Sequence, residues 1–263
     1  RQTGNDAFHT HIDQILNISF LSVSIPALIL LLVLTCYTIS RQIHADQSDT
    51  EIQLSQVTTH MEEVLKRSET QLNNLVVPGS PFHSFHYSNT QLEKYQNAYT
   101  ILQILRPILT QDSCLGGFFL YSKEKSDNCY YPSFQQHYSY EDQKLLKDYF
   151  MQPIHLSEER NRWIPFMLSD RVVLIRMIGY DTTICAVMVD PSLDNFSLFA
   201  GMSDSDMHLF YASLEGTPYT SEFVTRKLLF PYEDNPVRKI TLDKKTYQFI
   251  SSPVGEYNLQ LCC

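Results

Sequence analysis

The chain has 263 residues, with 20 Lys+Arg against 29 Asp+Glu for a net charge of −9, and it is 43% hydrophobic and 12% aromatic. An acidic balance with dispersed basic residues argues against a nucleic-acid surface, which needs a concentrated basic stripe. The apolar and aromatic share argues against disorder, because it is enough to offset chain entropy.

Residues 1–13 form a short tail in which His9 and His11 could bind a metal but read better as solvated. From Gln14 to Ser40 there is no Asp, Glu, Lys, Arg or His, and Ile25 to Leu34 is apolar without a break. At about 1.5 Å per residue a helix needs roughly 20 apolar residues to cross the hydrocarbon core, and this run is longer. A membrane-spanning helix is predicted over 14–40, kinked by Pro26. A secretory signal is the rival reading, but its apolar stretch is about 7–15 residues, and no small-x-small site follows Ser40. Flanking charge gives no orientation, since Arg1 and Arg41 balance each other.

Beyond Arg41, Leu54, Val57, Met61, Val64, Ser68, Leu72 and Leu75 recur at steps of three and four. That spacing predicts one stripe on a stalk helix over 41–77, ended by Val77-Pro78-Gly79. The stripe can pair with a second copy or pack on its own domain. His60 and Glu63 share a face of this helix, but two ligands fall short of a metal set, so a solvated face is the better reading. Pro81 to Ser88 reads as an irregular separator. A second helix then opens with a capping box, Thr90 to Glu93, with Leu92, Tyr95, Tyr99, Leu102 and Leu105 as its buried face and Pro107 bending or ending it.

The period then changes. Gly116 to Tyr121 and Asn128 to Tyr131 predict a strand hairpin, and Ser139 opens a short helix through Phe150. Strands follow at Trp163 to Leu168, Arg171 to Ile178 and Thr183 to Val189, closed by Asp190-Pro191. After a helix near Leu193 to Ala200, a smaller unit is predicted. It comprises a strand at Leu209 to Leu214, a helix at Ser221 to Leu229, a hairpin of Lys239 to Leu242 with Thr246 to Ser251, and a last strand from Tyr257 to Cys263. The apolar end looks like a chain cut before a second spanning helix. Four or five antiparallel strands with helices on their faces make an α+β domain. Cys114 and Cys129 can pair outside the cell or remain buried thiols; no metal-type cysteine spacing is present.

This order of parts resembles the double Cache sensor region of bacterial receptors. It looks closest to Gram-positive two-transmembrane sensor histidine kinases and membrane-bound AraC-type regulators. The residues carrying the resemblance are Ile25-Pro26-Ala27-Leu28-Ile29-Leu30, Gly117-Phe118-Phe119-Leu120-Tyr121, Trp163, Val187-Met188-Val189-Asp190 and Ser251-Ser252-Pro253-Val254-Gly255-Glu256-Tyr257. The resemblance implies two PAS-like modules outside the cytoplasm, a membrane-distal one over 78–200 and a membrane-proximal one over 201–263. It places the tail inside the cell and the output domain beyond Cys263. In amino-acid-sensing Cache domains an Arg-x-Trp signature, a tyrosine and a strand-end aspartate hold the ligand. Trp163, Tyr180 and Asp190 occupy plausible counterparts, whereas Asn161 stands where the arginine would be.

A pocket for a small polar ligand wants an aromatic wall and a few convergent polar groups. Trp163, Tyr121 and Tyr180 can supply the wall, with Arg176 and Asp190 as opposite charges. Arg176 interrupts an apolar strand, so it must pair or reach solvent, and an internal salt bridge is the alternative to a ligand contact. Asp190 before Pro191 can equally be a turn residue, and Trp163 plain core. No Gly-rich phosphate loop, His-Glu-x-x-His, Gly-x-Ser-x-Gly or kinase signature is present. The expectation is a non-enzymatic, membrane-anchored sensor with no catalytic residues, no cofactor and no metal, a small-molecule ligand, and a homodimer formed through its stalk. An extracytoplasmic protein-interaction module is the alternative.

Overall fold

The computed structural model describes residues 3–123, 129–135, 138–151, 161–180, 182–193, 209–219, 228–233, 237–242 and 244–263, with backbone only for 3–21, 23, 46 and 242. Two compact units are present, Arg1–Ile52 and Gln53–Cys263.

Helix α1, Thr3–Leu75, contains Pro26 and carries tail, apolar run and stalk as one element. The tail predicted before the anchor is therefore helical. In the first unit the large apolar side chains from Ile25 to Ile39 are all exposed. This helix is long and apolar enough to cross a membrane. Thr35 and Thr38 donate their hydroxyls to the carbonyls of Leu31 and Leu34, which satisfies them without water.

In the second unit the stripe Leu54, Val57, Met61, Val64, Ser68, Leu72 and Leu75 is buried throughout. Of the two readings left open for it, the structure packs the stripe into its own domain. Its core also takes in Phe118, Leu174 and Val187 of the first sheet and Ile250 and Leu261 of the second. Each such leucine or valine removed from water contributes about 1.5–3 kcal/mol, so this stretch of α1 is tied to both sheets. The helix stops at Leu75, two residues before the expected end, and a turn follows in which Gly79 takes φ 83°.

The separator at Pro81 is a helix, α2, Pro81–His86. Ser80 caps it by accepting from the His83 N–H, Pro81 fits the first turn, and Phe82 and Phe85 are buried. Helix α3, Gln91–Gln111, has the predicted capping box but runs through Pro107. Its buried face is Lys94, Ala98, Ile101, Leu105 and Leu109. Leu92, Tyr95 and Tyr99, predicted to be core, are 68%, 58% and 57% exposed. Both faces have helical spacing, and the core takes the one on which small Ala98 lets the helix approach closely.

Strands β1 (Leu115–Ser122), β2 (Cys129–Phe134), β3 (Trp163–Met167), β4 (Val172–Tyr180) and β5 (Thr183–Val189) make a five-stranded sheet in the order β2-β1-β5-β4-β3. All of its pairings are antiparallel. Central β1 and β5 are buried along their whole length, as strands covered on both faces must be. One face carries Phe118, Leu120 and Val187 toward α1 to α3. The other carries Phe119, Tyr121 and Met188 toward α4, Tyr140–Met151. Strands β6 (Phe210–Ala212), β7 (Val237–Leu242), β8 (Lys245–Pro253) and β9 (Gln260–Cys262) make a four-stranded sheet in the order β6-β9-β8-β7. The final strand is shorter than predicted because 255–258 form a turn, with Gly255 at φ 50°. The helices predicted near 193–200 and 221–229 fall mostly outside the described residues; Pro191–Leu193 is a short 3-10 turn. No disulfide joins Cys114 to Cys129.

Candidate functional site

The five candidate residues lie in four places, because side chains alternate between the two faces of the sheet and the residues on each face sit at different strand positions. Asp190 and Tyr121 project to the α4 face, and Trp163, Arg176 and Tyr180 pack on the other. Along β1 the ends marked by Asp190 and Tyr121 are about 20 Å apart. Phe119, Tyr130 and Phe150 stack between them, with Phe119 and Phe150 centroids 5.0 Å apart. Burial raises the pKa of Tyr121 and of Tyr130, whose hydroxyl has no partner among the described residues.

Asp190 is 0% exposed just past β5, and its N–H donates to the Cys114 carbonyl at 2.8 Å. One carboxylate oxygen accepts from the Ser192 N–H at 3.0 Å and from the Ser192 hydroxyl. The other accepts from the Tyr138 hydroxyl at 3.3 Å and faces Arg171 Nη1 at 3.5 Å. Burial outweighs these partners and raises the Asp190 pKa. Burial and the neighbouring Asp190 charge likewise push Tyr138 up. Gly116 makes room for this contact, since a Cβ there would stand 2.5 Å from the Tyr138 hydroxyl oxygen. Arg171 is shared, its Nε bonding Asp170 at 2.8 Å.

Asp142 braces the cluster from the start of α4. Its N–H donates to the Ser139 hydroxyl, and its carboxylate accepts from Ser139 at 2.7 Å and from the Ser169 N–H at 2.9 Å. Burial works to raise its pKa, but the hydrogen bonds from Ser169 and Ser139 prevail and hold it below the usual carboxylate value.

On the opposite face Trp163 and Arg176 are cross-strand partners. Both converge on Glu69 of α1: Trp163 Nε1 donates to Glu69 Oε1 at 2.8 Å, and Arg176 Nη1 sits 2.9 Å from the same oxygen. The arginine and glutamate side chains are 13% and 22% exposed. Arg176 thus has an internal ion-pair partner in Glu69. Tyr257, between β8 and β9, is pushed up to about 12 by burial and by the Glu69 charge, to which it hydrogen-bonds. Tyr180 stands apart, stacked on His86 at 4.3 Å and on Phe82 at 5.9 Å.

Sequence reading misses Glu69, Tyr138, Arg171 and Ser192. Glu69 follows the buried-stripe residue Ser68, a position that can reach inward, but the others meet Asp190 only through tertiary structure.

No family model matches the chain, and no curated protein matches its sequence. Among solved structures it is similar to the extracellular domain of the candidate histidine kinase rpHK1S-Z16, with a TM-score of 0.50 and 11% identity over 84% of this chain and 95% of that one. It is also similar to the ligand-binding domain of the Pseudomonas aeruginosa PAO1 amino acid chemoreceptor PctC, crystallised with GABA, at a TM-score of 0.46 and 12% identity over 83% of this chain and 99% of that one. The ligand-binding domain of the Pseudomonas fluorescens chemoreceptor CtaA, in complex with L-leucine, gives a TM-score of 0.46 and 10% identity over 82% of this chain and 92% of that one. At such identities the likeness is one of fold: an α+β chain with a long N-terminal helix followed by antiparallel sheets, as in the extracellular domain of rpHK1S-Z16.

Proposed function

We propose that this chain is the extracytoplasmic ligand-sensing region of a bacterial transmembrane receptor, of double Cache type. The observation that carries it is the fold likeness spanning 95% of the extracellular domain of rpHK1S-Z16. An N-terminal helix able to cross a membrane supports the same reading. The modules are the five-stranded sheet within 78–200 and the four-stranded sheet within 201–263. The region is not an enzyme, works as a homodimer, and feeds a histidine kinase or AraC-type output domain.

The ligand side is the α4 face ending at Asp190. There a buried carboxylate and a guanidinium shared between Asp170 and Asp190 present both signs of charge beside Tyr138. Such a pair suits a small polar molecule that carries charge of its own. The Glu69 face is the transmission side: Trp163, Arg176 and Tyr257 tie both sheets to α1, so a ligand that shifts the first sheet biases the helix.

A thermal-shift screen of the whole chain in detergent micelles against amino acids, sugars, organic acids and short peptides tests this. A ligand at a hundredfold its Kd adds about 2.7 kcal/mol, so at least one chemical class raises Tm by several degrees. Asp190→Asn removes that rise. A screen in which nothing shifts Tm refutes direct sensing.

One observation favours the second reading, a module that recognises a partner lipoprotein or a cell-wall component. Leu92, Tyr95 and Tyr99, at helical spacing, form an exposed, largely aromatic face of α3. Under that reading no small molecule shifts Tm, and the patch is what partner binding covers.

A further inference from the structure

His60 and Glu63 alone fall short of a metal set. The fold adds the missing ligands from elsewhere: the His60 imidazole, an Asp112 carboxylate oxygen and the Cys114 sulfur all lie within 4.8 Å of one another. We propose that these three residues form a binding site for a zinc-type divalent cation, pinning α1 to the loop between α3 and β1.

Three observations build the site. Asp112 closes α3 as its C-cap in extended backbone, and its Oδ1 accepts the Cys114 N–H at 3.2 Å, so the two ligands are held as a preformed pair. Both are buried, whereas His60 is exposed on α1 beside Val57 and Val64 of the buried stripe. The other Asp112 oxygen faces Arg67 Nη1 at 3.6 Å, with that arginine side chain 46% exposed. A long, loose pair with a half-exposed arginine is one an incoming cation can replace.

The ligand chemistry selects the ion. Nitrogen, sulfur and oxygen donors suit zinc and its borderline neighbours, while calcium and magnesium take oxygen alone. Bond lengths of about 2.0–2.3 Å put tetrahedral ligand atoms about 3.5 Å apart, so the trio must close by roughly 1 Å. The His60 side chain, on the exposed surface of α1, can make that movement. Three protein ligands leave a fourth position for water or an incoming group. Binding replaces the thiol proton of Cys114 with the metal, so one proton leaves.

The position matters for signalling. The carbonyl of Cys114 accepts the Asp190 N–H, so the bound cation would join α1 to the strand end that carries the candidate ligand site. This goes beyond ligand sensing and can fail without touching it.

The test titrates Co2+, a spectroscopic stand-in for zinc, into the whole chain, reduced and stripped of metal in detergent micelles. One equivalent produces the near-ultraviolet thiolate-to-cobalt charge-transfer band of a tetrahedral site, and Zn2+ displaces it. Cys114→Ser removes the band, and Cys129→Ser keeps it. His60→Ala, which alters an exposed residue, keeps the fold and weakens Co2+ by roughly tenfold or more. Arg67→Ala, which removes the competing cation, tightens Co2+ several-fold. The proposal is overturned if the wild-type chain shows no stoichiometric band, if the band survives Cys114→Ser, or if His60→Ala leaves the affinity unchanged.

Discussion

Glu69 and Asp190 are both carboxylates that face an arginine, but they serve opposite faces of one sheet and are held differently. Glu69 has a short, direct pair with Arg176 at 2.9 Å and a second donor in Trp163 at 2.8 Å. Asp190 is more deeply buried, yet its arginine stands at 3.5 Å and is bonded more closely to Asp170. One carboxylate has a committed set of partners and works as a strut between helix and sheets. The other has a divided guanidinium and a pKa raised by burial, the kind of group that a ligand can recruit.

Breaking the strut has the largest expected effect. Arg176→Ala leaves a largely buried Glu69 without its cation and costs about 3 kcal/mol, read as a lower Tm of the chain in micelles. Replacing both partners by apolar or neutral groups of similar shape, Glu69→Gln with Arg176→Met, recovers more than half of that loss. Recovery of nothing would mean that Trp163 alone sets the geometry.

Asp142→Asn, on the α4 side, comes next at about 1–3 kcal/mol, because it loses charge-assisted bonds from Ser139 and Ser169. Since the folded pKa of Asp142 lies below its ordinary 3.8, its contribution is full above that value and is lost as pH falls through the depressed range. Melting curves of wild type and variant therefore diverge near neutral pH and converge in acid.

Asp190→Asn is expected to cost less, about 1 kcal/mol, because the amide oxygen keeps both Ser192 bonds and the Tyr138 hydroxyl can turn to accept from the amide NH2, while a charge that burial disfavours is removed. Its mark is loss of the ligand-dependent Tm rise. The smallest effect belongs to Tyr95→Ser with Tyr99→Ser on exposed α3, within about 0.5 kcal/mol per site. If the pair changes the sedimentation of the chain while leaving its ligand response intact, the patch is a protein interface.

Much of this fold is legible in the sequence where a residue pattern has one physical outcome. The stripe from Leu54 to Leu75, the capping box at Thr90 and the apolar runs of β1 and β5 are such patterns. Patterns with two outcomes are not. Helix α3 has two apolar faces, and only packing selects Ala98 and Ile101 over Tyr95 and Tyr99. Helix α2 is hidden by Pro81, which suits a first turn as well as a break, although Ser80-Pro81 is a readable start signal. The candidate site divides in the same way. Trp163 and Arg176 meet because they are register partners on neighbouring strands, whereas Glu69, Tyr138 and Arg171 reach their partners across distant segments. A period-two strand pattern assigns residues to faces within one strand, but only the register of β4 with β5 shows that Arg176 and Tyr180 lie on the face opposite Asp190.

Hydrogen–deuterium exchange on the whole chain, with and without a ligand that raises Tm, tests the division of labour between the two faces most directly. The account predicts strong protection of the backbone around Tyr138 and Asp190, with a weaker change along α1 near Glu69. Protection confined to the Glu69, Trp163 and Arg176 segments, with Asp190 unaffected, would contradict it.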